Sequence, residues 1–138
     1  MKLSRHDIQK LEDYWINLEE YKKQLKYREW ELLNPHQEED KNMGGGKANR
    51  ISDTTGNRAI MLAEDDLYKN LQRIINGIER LYISLNDDEK TIVDMRYRTK
   101  RGYNEWEDIA YELGYSRRKV LKIRDNLIDR TAAEIKFV

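Results

Sequence analysis

The stretch Trp106-Glu107-Asp108-Ile109-Ala110-Tyr111-Glu112-Leu113-Gly114-Tyr115-Ser116-Arg117-Arg118-Lys119-Val120-Leu121-Lys122-Ile123 decides the fold. Ala110 places a small side chain where a second helix must cross the first closely. Gly114, four residues later, suits the left-handed backbone of a sharp turn. Ser116 then offers an N-cap oxygen to the next helix, and Val120 and Ile123 point back into the crossing. Two helices are therefore expected, roughly Glu105 to Leu113 and Ser116 to Lys136, with only Gly114-Tyr115 between them. These are the slots of a helix-turn-helix, and all of them are filled.

At about 100° per residue, Val120, Ile123 and Leu127 share one face of the second helix, broadened by Leu121 and Ile128. Arg118, Lys122 and Asn126 lie opposite, flanked by Lys119. These residue types pair with base edges and phosphates, and they begin in the N-terminal turns, the part of a recognition helix that enters the major groove. Arg117 lies toward the Leu121 flank, where phosphate contact is expected before base readout. Ser116, Arg117, Arg118, Lys119, Lys122 and Asn126 are thus the candidate DNA-binding residues. The competing reading is a structural hairpin with a solvated basic face.

Upstream, Asn86-Asp87-Asp88-Glu89 supplies a cap and an acidic first turn for a short helix carrying Ile92, Val93 and Met95, which ends in Arg96 to Arg101 before Gly102. Further back, Leu67, Leu71, Ile74, Ile78, Leu81 and Leu85 follow four-three steps over nearly three heptads. Run continuously from Asn57, that helix would reach about 43 Å and would need a partner. Ile8, Leu11, Trp15, Leu18, Leu25 and Leu32 recur at three- and four-residue steps, broken at Lys22 and Glu29, so Asp7 to Leu33 reads as one long amphipathic helix. Ser4 with Asp7 is a weak form of the capping box, and Asn34-Pro35 ends the pattern. Residues 34–58, with Pro35 and Gly44-Gly45-Gly46, show almost no apolar periodicity and read as a mobile or functional loop, with Asp53, Thr54 or Thr55 capping the next helix.

Composition agrees with helices. Of 138 residues 38% are charged, and three valines stand beside 13 isoleucines and 14 leucines, which favours amphipathic helices over sheets. The net charge is zero, yet residues 1–88 carry 14 basic and 17 acidic groups whereas residues 89–138 carry 12 and 9. A difference of −3 against +3 is too small to identify a nucleic-acid binder by charge alone. The absence of cysteine removes disulfide scaffolds, thiolate zinc sites and thiol nucleophiles. No apolar run suits a signal peptide or a membrane span, so a cytoplasmic protein with no membrane partner is expected.

Other chemistry is weighed and set aside. Gly44-Gly45-Gly46-Lys47 lacks the spacing of a phosphate loop, is followed by Ala48 where Ser or Thr would bind magnesium, and follows no strand. Lys47 and Arg50 remain candidates for a DNA backbone. His6 and His36 stand alone, without the paired spacing of a zinc site. Glu38-Glu39-Asp40 and Glu64-Asp65-Asp66 read as solvated acidic runs, and Trp15, Trp30, Trp106 and the tyrosines as core or interface. No nucleophile, base and orienting group can be assembled, so no enzyme, metal or cofactor is expected.

From Leu85 through Arg124 the sequence resembles region 4 of bacterial sigma factors of the principal type. The resemblance is carried by Leu85, Glu89, Ile92, Val93, Met95-Arg96-Tyr97, Ile109-Ala110, Leu113-Gly114, Ser116-Arg117 and Val120 to Ile123. The sigma regions that grip the polymerase core and melt the promoter have no counterpart, so a complete sigma factor is not expected. Over almost the full length the chain resembles the RinA-like family of phage transcriptional regulators, which activate late genes for packaging and morphogenesis. Arg28 to Leu33, Pro35, the Asp40 to Lys47 loop, Ile51-Ser52-Asp53 to Thr55, and Ala59-Ile60 carry that likeness.

The expected architecture is all-α. Residues 1–85 form an N-terminal long-helix hairpin, Asp7 to Leu33 against about Ala59 to Leu85, and residues 86–138 a sigma-region-4-like helix-turn-helix domain. The heptad stripe points to a homodimer or a docked partner, although two antiparallel helices of one chain could satisfy it internally. The resemblance implies a sequence-specific DNA-binding activator of late genes in a bacterial host cell, with double-stranded DNA and host RNA polymerase as partners. The acidic face of Glu105, Glu107, Asp108 and Glu112 is the candidate polymerase contact. The alternatives are a small terminase-type packaging subunit that recognises DNA, and a helical protein-interaction adaptor.

Overall fold

The computed structural model describes residues 2–34, 55–99 and 102–137. These form seven helices and no strand: α1 (Arg5–Ile16), α2 (Leu18–Leu33), α3 (Thr55–Glu64), α4 (Asp66–Ser84), α5 (Asp87–Arg96), α6 (Trp106–Leu113) and α7 (Arg117–Glu134). The protein is all-helical. Of the expected loop at 34–58, residues 35–54 lie outside the described residues, together with Gly44-Gly45-Gly46, Lys47, Arg50, His36 and Glu38-Glu39-Asp40. Its last residues, from Thr55, already belong to α3.

Local chemistry sets the helix ends. Ser4 and Asp7 form a full capping box: the Asp7 amide donates to Ser4 Oγ at 3.1 Å and the Ser4 amide to Asp7 Oδ2 at 3.0 Å. The Ser4 amide, and then its hydroxyl, hold the Asp7 carboxyl below its usual range. The expected single helix from Asp7 to Leu33 is interrupted at Asn17, whose amide donates to the Asp13 carbonyl and whose side-chain nitrogen donates to Asp13 Oδ1. Trp15 and Leu18 are buried on either side, so the apolar stripe continues across the break and conceals it.

The expected run from Asn57 to Leu85 is likewise divided, at Asp65. Its carboxylate accepts the Tyr68 amide at 2.7 Å and so caps α4. It also receives Arg28 through Nη2 at 2.6 Å and Nε at 3.1 Å. The acidic run is therefore not uniformly solvated, because Asp65 is half-buried whereas Glu64 and Asp66 are exposed.

The chain divides into two compact units, Glu20–Gln72 and the remainder, Met1–Glu19 with Arg73–Val138. This division differs from the expected boundary between residues 85 and 86, because α1 and the second part of α4 belong with the C-terminal helices. In that discontinuous unit Trp15 Nε1 donates to Thr131 Oγ1 at 3.0 Å, and Thr131 donates to the Leu127 carbonyl at 2.8 Å. Both ends of the link are buried. Glu12 of α1 accepts Arg124 Nη1 of α7 at 3.1 Å and the Tyr97 hydroxyl that follows α5. Burial, with the Glu12 charge adding to it, pushes the Tyr97 phenol far above its ordinary value.

The end of α7 rests on α4. Arg73 Nε donates to the Ile135 carbonyl at 2.8 Å, and Arg80 pairs with Glu134 at 2.8 Å. Between them lies buried Gly77, where an added Cβ would stand 2.7 Å from Ile135 Cγ2, so only glycine lets the two segments approach this closely. Ile78, Ile92, Val93, Ile109, Val120 and Leu127 are fully enclosed in the same unit, and burying each such side chain stabilises the fold by about 1.5–3 kcal/mol.

Candidate nucleic-acid interface

α6 and α7 are joined by Gly114, Tyr115 and Ser116. Gly114 adopts φ 72° and ψ 29°, the left-handed conformation expected of the turn. The Tyr115 amide reaches back to the Ala110 carbonyl at 2.9 Å, closing the last turn of α6. Nothing lies within 4 Å of a Cβ built on Gly114, so the requirement for glycine there is conformational and not steric. Ser116 Oγ accepts the Lys119 amide at 3.1 Å and caps α7 as the sequence suggested. Ile109, Ala110 and Val120 are buried at the crossing, while Leu121 and Ile123 are half-buried.

Ser116, Arg117, Arg118, Lys119, Lys122 and Asn126 are all exposed. They do not form one equivalent set. Arg117 Nε pairs with Glu107 Oε2 of α6 at 3.3 Å. Lys119 Nζ sits 3.8 Å from the Tyr115 ring centroid. Arg118, Lys122 and Asn126 make no side-chain contact with a charged or polar partner among the described residues. One helical turn separates Arg118 from Lys122, about 6 Å along the axis. Asp125 and Asp129 are exposed close to the same stripe, so the cationic surface is confined to the start of α7 and Asn126 stands among acidic neighbours. Arg124, in the same helix, faces inward, held by Glu12 and Asp125 with its guanidinium 5.3 Å from the Trp106 ring.

Two features went unread in the sequence. The Tyr115 hydroxyl donates to the Asp88 carboxylate in the first turn of α5, and this bond to a negative group raises its phenol pKa. The turn is thereby pinned to a helix 27 residues away, for which no local signal exists. The second feature was legible. Acidic residues occupy the first turns of α1 (Asp7), α4 (Asp66), α5 (Asp87, Asp88, Glu89) and α6 (Glu107, Asp108); α3 and α7 have none, and α7 alone opens with three consecutive cations, Arg117-Arg118-Lys119. Cations there face the positive end of the helix dipole.

Of the acidic face on α6, Glu105, Glu107, Asp108 and Glu112 are all exposed, with Glu107 engaged by Arg117. Tyr111 beside them is 88% exposed. Among the described residues no group of three His, Asp or Glu side chains is placed to hold a metal ion, and no helix is long and apolar enough to cross a membrane.

Fold and site together define an all-helical protein whose exposed cationic helix start is fixed by a closed, capped turn. A family model described as a protein of unknown function (DUF722) matches residues 5–133, and the chain belongs to that family. Neither a search of curated proteins nor a search of solved structures finds a match.

Proposed function

We propose that this protein binds double-stranded DNA in a sequence-specific manner through the start of α7 and regulates transcription, as an activator of phage late genes. The observation that carries the DNA reading is the placement of Arg117, Arg118 and Lys119 at the positive end of α7. Each cation there costs helix stability, on the order of 0.3–1 kcal/mol, and a phosphate ligand reverses the sign of that interaction. Local rules are broken in this way where function requires it. Arg118 and Lys122, exposed and unengaged, are the base-reading candidates. Arg117 and Lys119, already oriented by Glu107 and Tyr115, suit phosphate contact.

The activator role rests on the resemblance to RinA-like regulators and sigma region 4, with Glu105, Asp108 and Glu112 as the surface offered to host RNA polymerase. Glu107 is set apart, because its contact with Arg117 would mix a polymerase effect with a DNA effect.

Selection of bound fragments from the source genome, followed by titration of cognate and scrambled DNA, tests the first claim. Arg118→Ala and Lys122→Ala should each lose about 1–3 kcal/mol on the cognate site and much less on scrambled DNA. Equal losses on both would remove the base-reading assignment. Transcription from a late-promoter template with purified host polymerase tests the second: Asp108→Lys should keep binding and lose stimulation. A protein that only lowers the transcript while occupying its site is not an activator, and a selected site at a packaging start would favour the small terminase-type role.

A further inference from the structure

Among its described residues the unit Glu20–Gln72 exposes several large apolar side chains. Nine large hydrophobic side chains are exposed among the described residues, and five of them, Tyr27, Trp30, Ile60, Met61 and Leu67, lie in this unit. Leu71 is its single buried side chain among the described residues. Tyr27 and Trp30 stack at 6.0 Å on α2 and are 60% and 57% exposed. Beside them an open groove of about 360 Å³ runs between α2 and Leu67 and Leu71 of α4.

The outward face of α2 is complementary to itself. At 100° per residue, Lys23, Gln24, Tyr27, Trp30 and Glu31 fall within about 120° of arc, and all five are exposed. Tyr27 is at the centre, with Lys23 and Glu31 four residues to either side and Gln24 and Trp30 three residues to either side. A two-fold axis through Tyr27 would set Lys23 of one copy against Glu31 of the other, twice. A parallel pairing would instead oppose Lys23 to Lys23 and Glu31 to Glu31. Glu31 already lies 3.3 Å from Arg28, but that pair is solvated and leaves the carboxylate open to a second cation.

The geometry points to a homodimer formed by antiparallel pairing of α2 about Tyr27, with the Lys23–Glu31 pairs fixing its register. None of this depends on what α7 binds, and DNA titration reports on α7 separately. Sedimentation equilibrium of the full chain should show a dimer at micromolar concentration. Lys23→Glu should weaken it roughly tenfold, and Tyr27→Glu, at the axis, by about a hundredfold. The exchange Lys23→Glu with Glu31→Lys should restore the wild-type constant, and a mixture of the two single variants should form the heterodimer. Helical circular dichroism checks that each variant is folded, and the mixture gives the same answer independently of how either single variant behaves alone. A wild-type chain that remains monomeric up to about 100 μM overturns the proposal. So does a Lys23→Glu dimer as tight as wild type, or a charge exchange that fails to restore association.

Discussion

Gly77 shows how a single missing methyl group positions the end of α7. Alanine there would gain about 1 kcal/mol of helix propensity, so a stabilised variant would be the expectation from the helix alone. The added Cβ, however, would stand 2.7 Å from Ile135 Cγ2, and Ile135 is β-branched and buried. Overpacking of this kind costs about 1–3 kcal/mol, and we expect Gly77→Ala to be destabilised by about 1 kcal/mol in urea unfolding. Adding Ile135→Leu, which removes the β-branch, should recover most of the loss. A stabilised Gly77→Ala would mean that the segments part easily and that the close approach is incidental.

At the scale of the element, α7 is held at its end and inner face and left electrostatically unfavourable at its start. Arg118→Glu should therefore raise the unfolding free energy by about 0.5 kcal/mol, through the helix dipole, while abolishing DNA binding. A variant that is less stable than wild type would remove the dipole argument. Much of this element was legible in the sequence: Ser116 as cap, Gly114 as turn, and the burial of Val120 and Leu127 all follow from side-chain type and spacing. The breaks at Asn17 and Asp65 were not, because the apolar stripe passes Asn17 in phase and an acidic run does not reveal that its middle member caps one helix and holds Arg28. Nor was the partner of α1 legible. Periodicity shows that Leu11 and Trp15 need cover, but a hydrogen bond to Thr131, 116 residues away, leaves no trace in local spacing.

For the whole molecule, pH provides a check on burial. Tyr97 is raised by burial and Glu12, Tyr14 chiefly by burial, and Tyr82 by burial and Asp94. Below about pH 10 the folded and unfolded chains both keep these protons and stability is fully present. As pH rises further the unfolded chain releases them first, so stability falls through the folded pKa values. Asp65, lowered first by Arg28, and Asp7 act with the opposite sign: their contribution is present above about pH 4 and is lost as pH falls through their folded values. Denaturation midpoints should thus form a plateau that declines on both sides, and Tyr97→Phe should flatten the alkaline decline most. An unchanged alkaline slope in that variant would show that Tyr97 does not titrate with unfolding.

The link between Trp15 and Thr131 also dictates the order of events during synthesis. α1 leaves the ribosome more than 100 residues before the helix that covers it. Until then Leu11 and Trp15 have no α7 to pack against, and the discontinuous unit stays incomplete while residues 20–72, inserted in the middle of its sequence, are made. A nascent chain stalled before Ser116 would carry an uncovered α1 and remain a target for chaperones and proteases. The segment proposed to read DNA is thus also the one that supplies the cover α1 lacks until then.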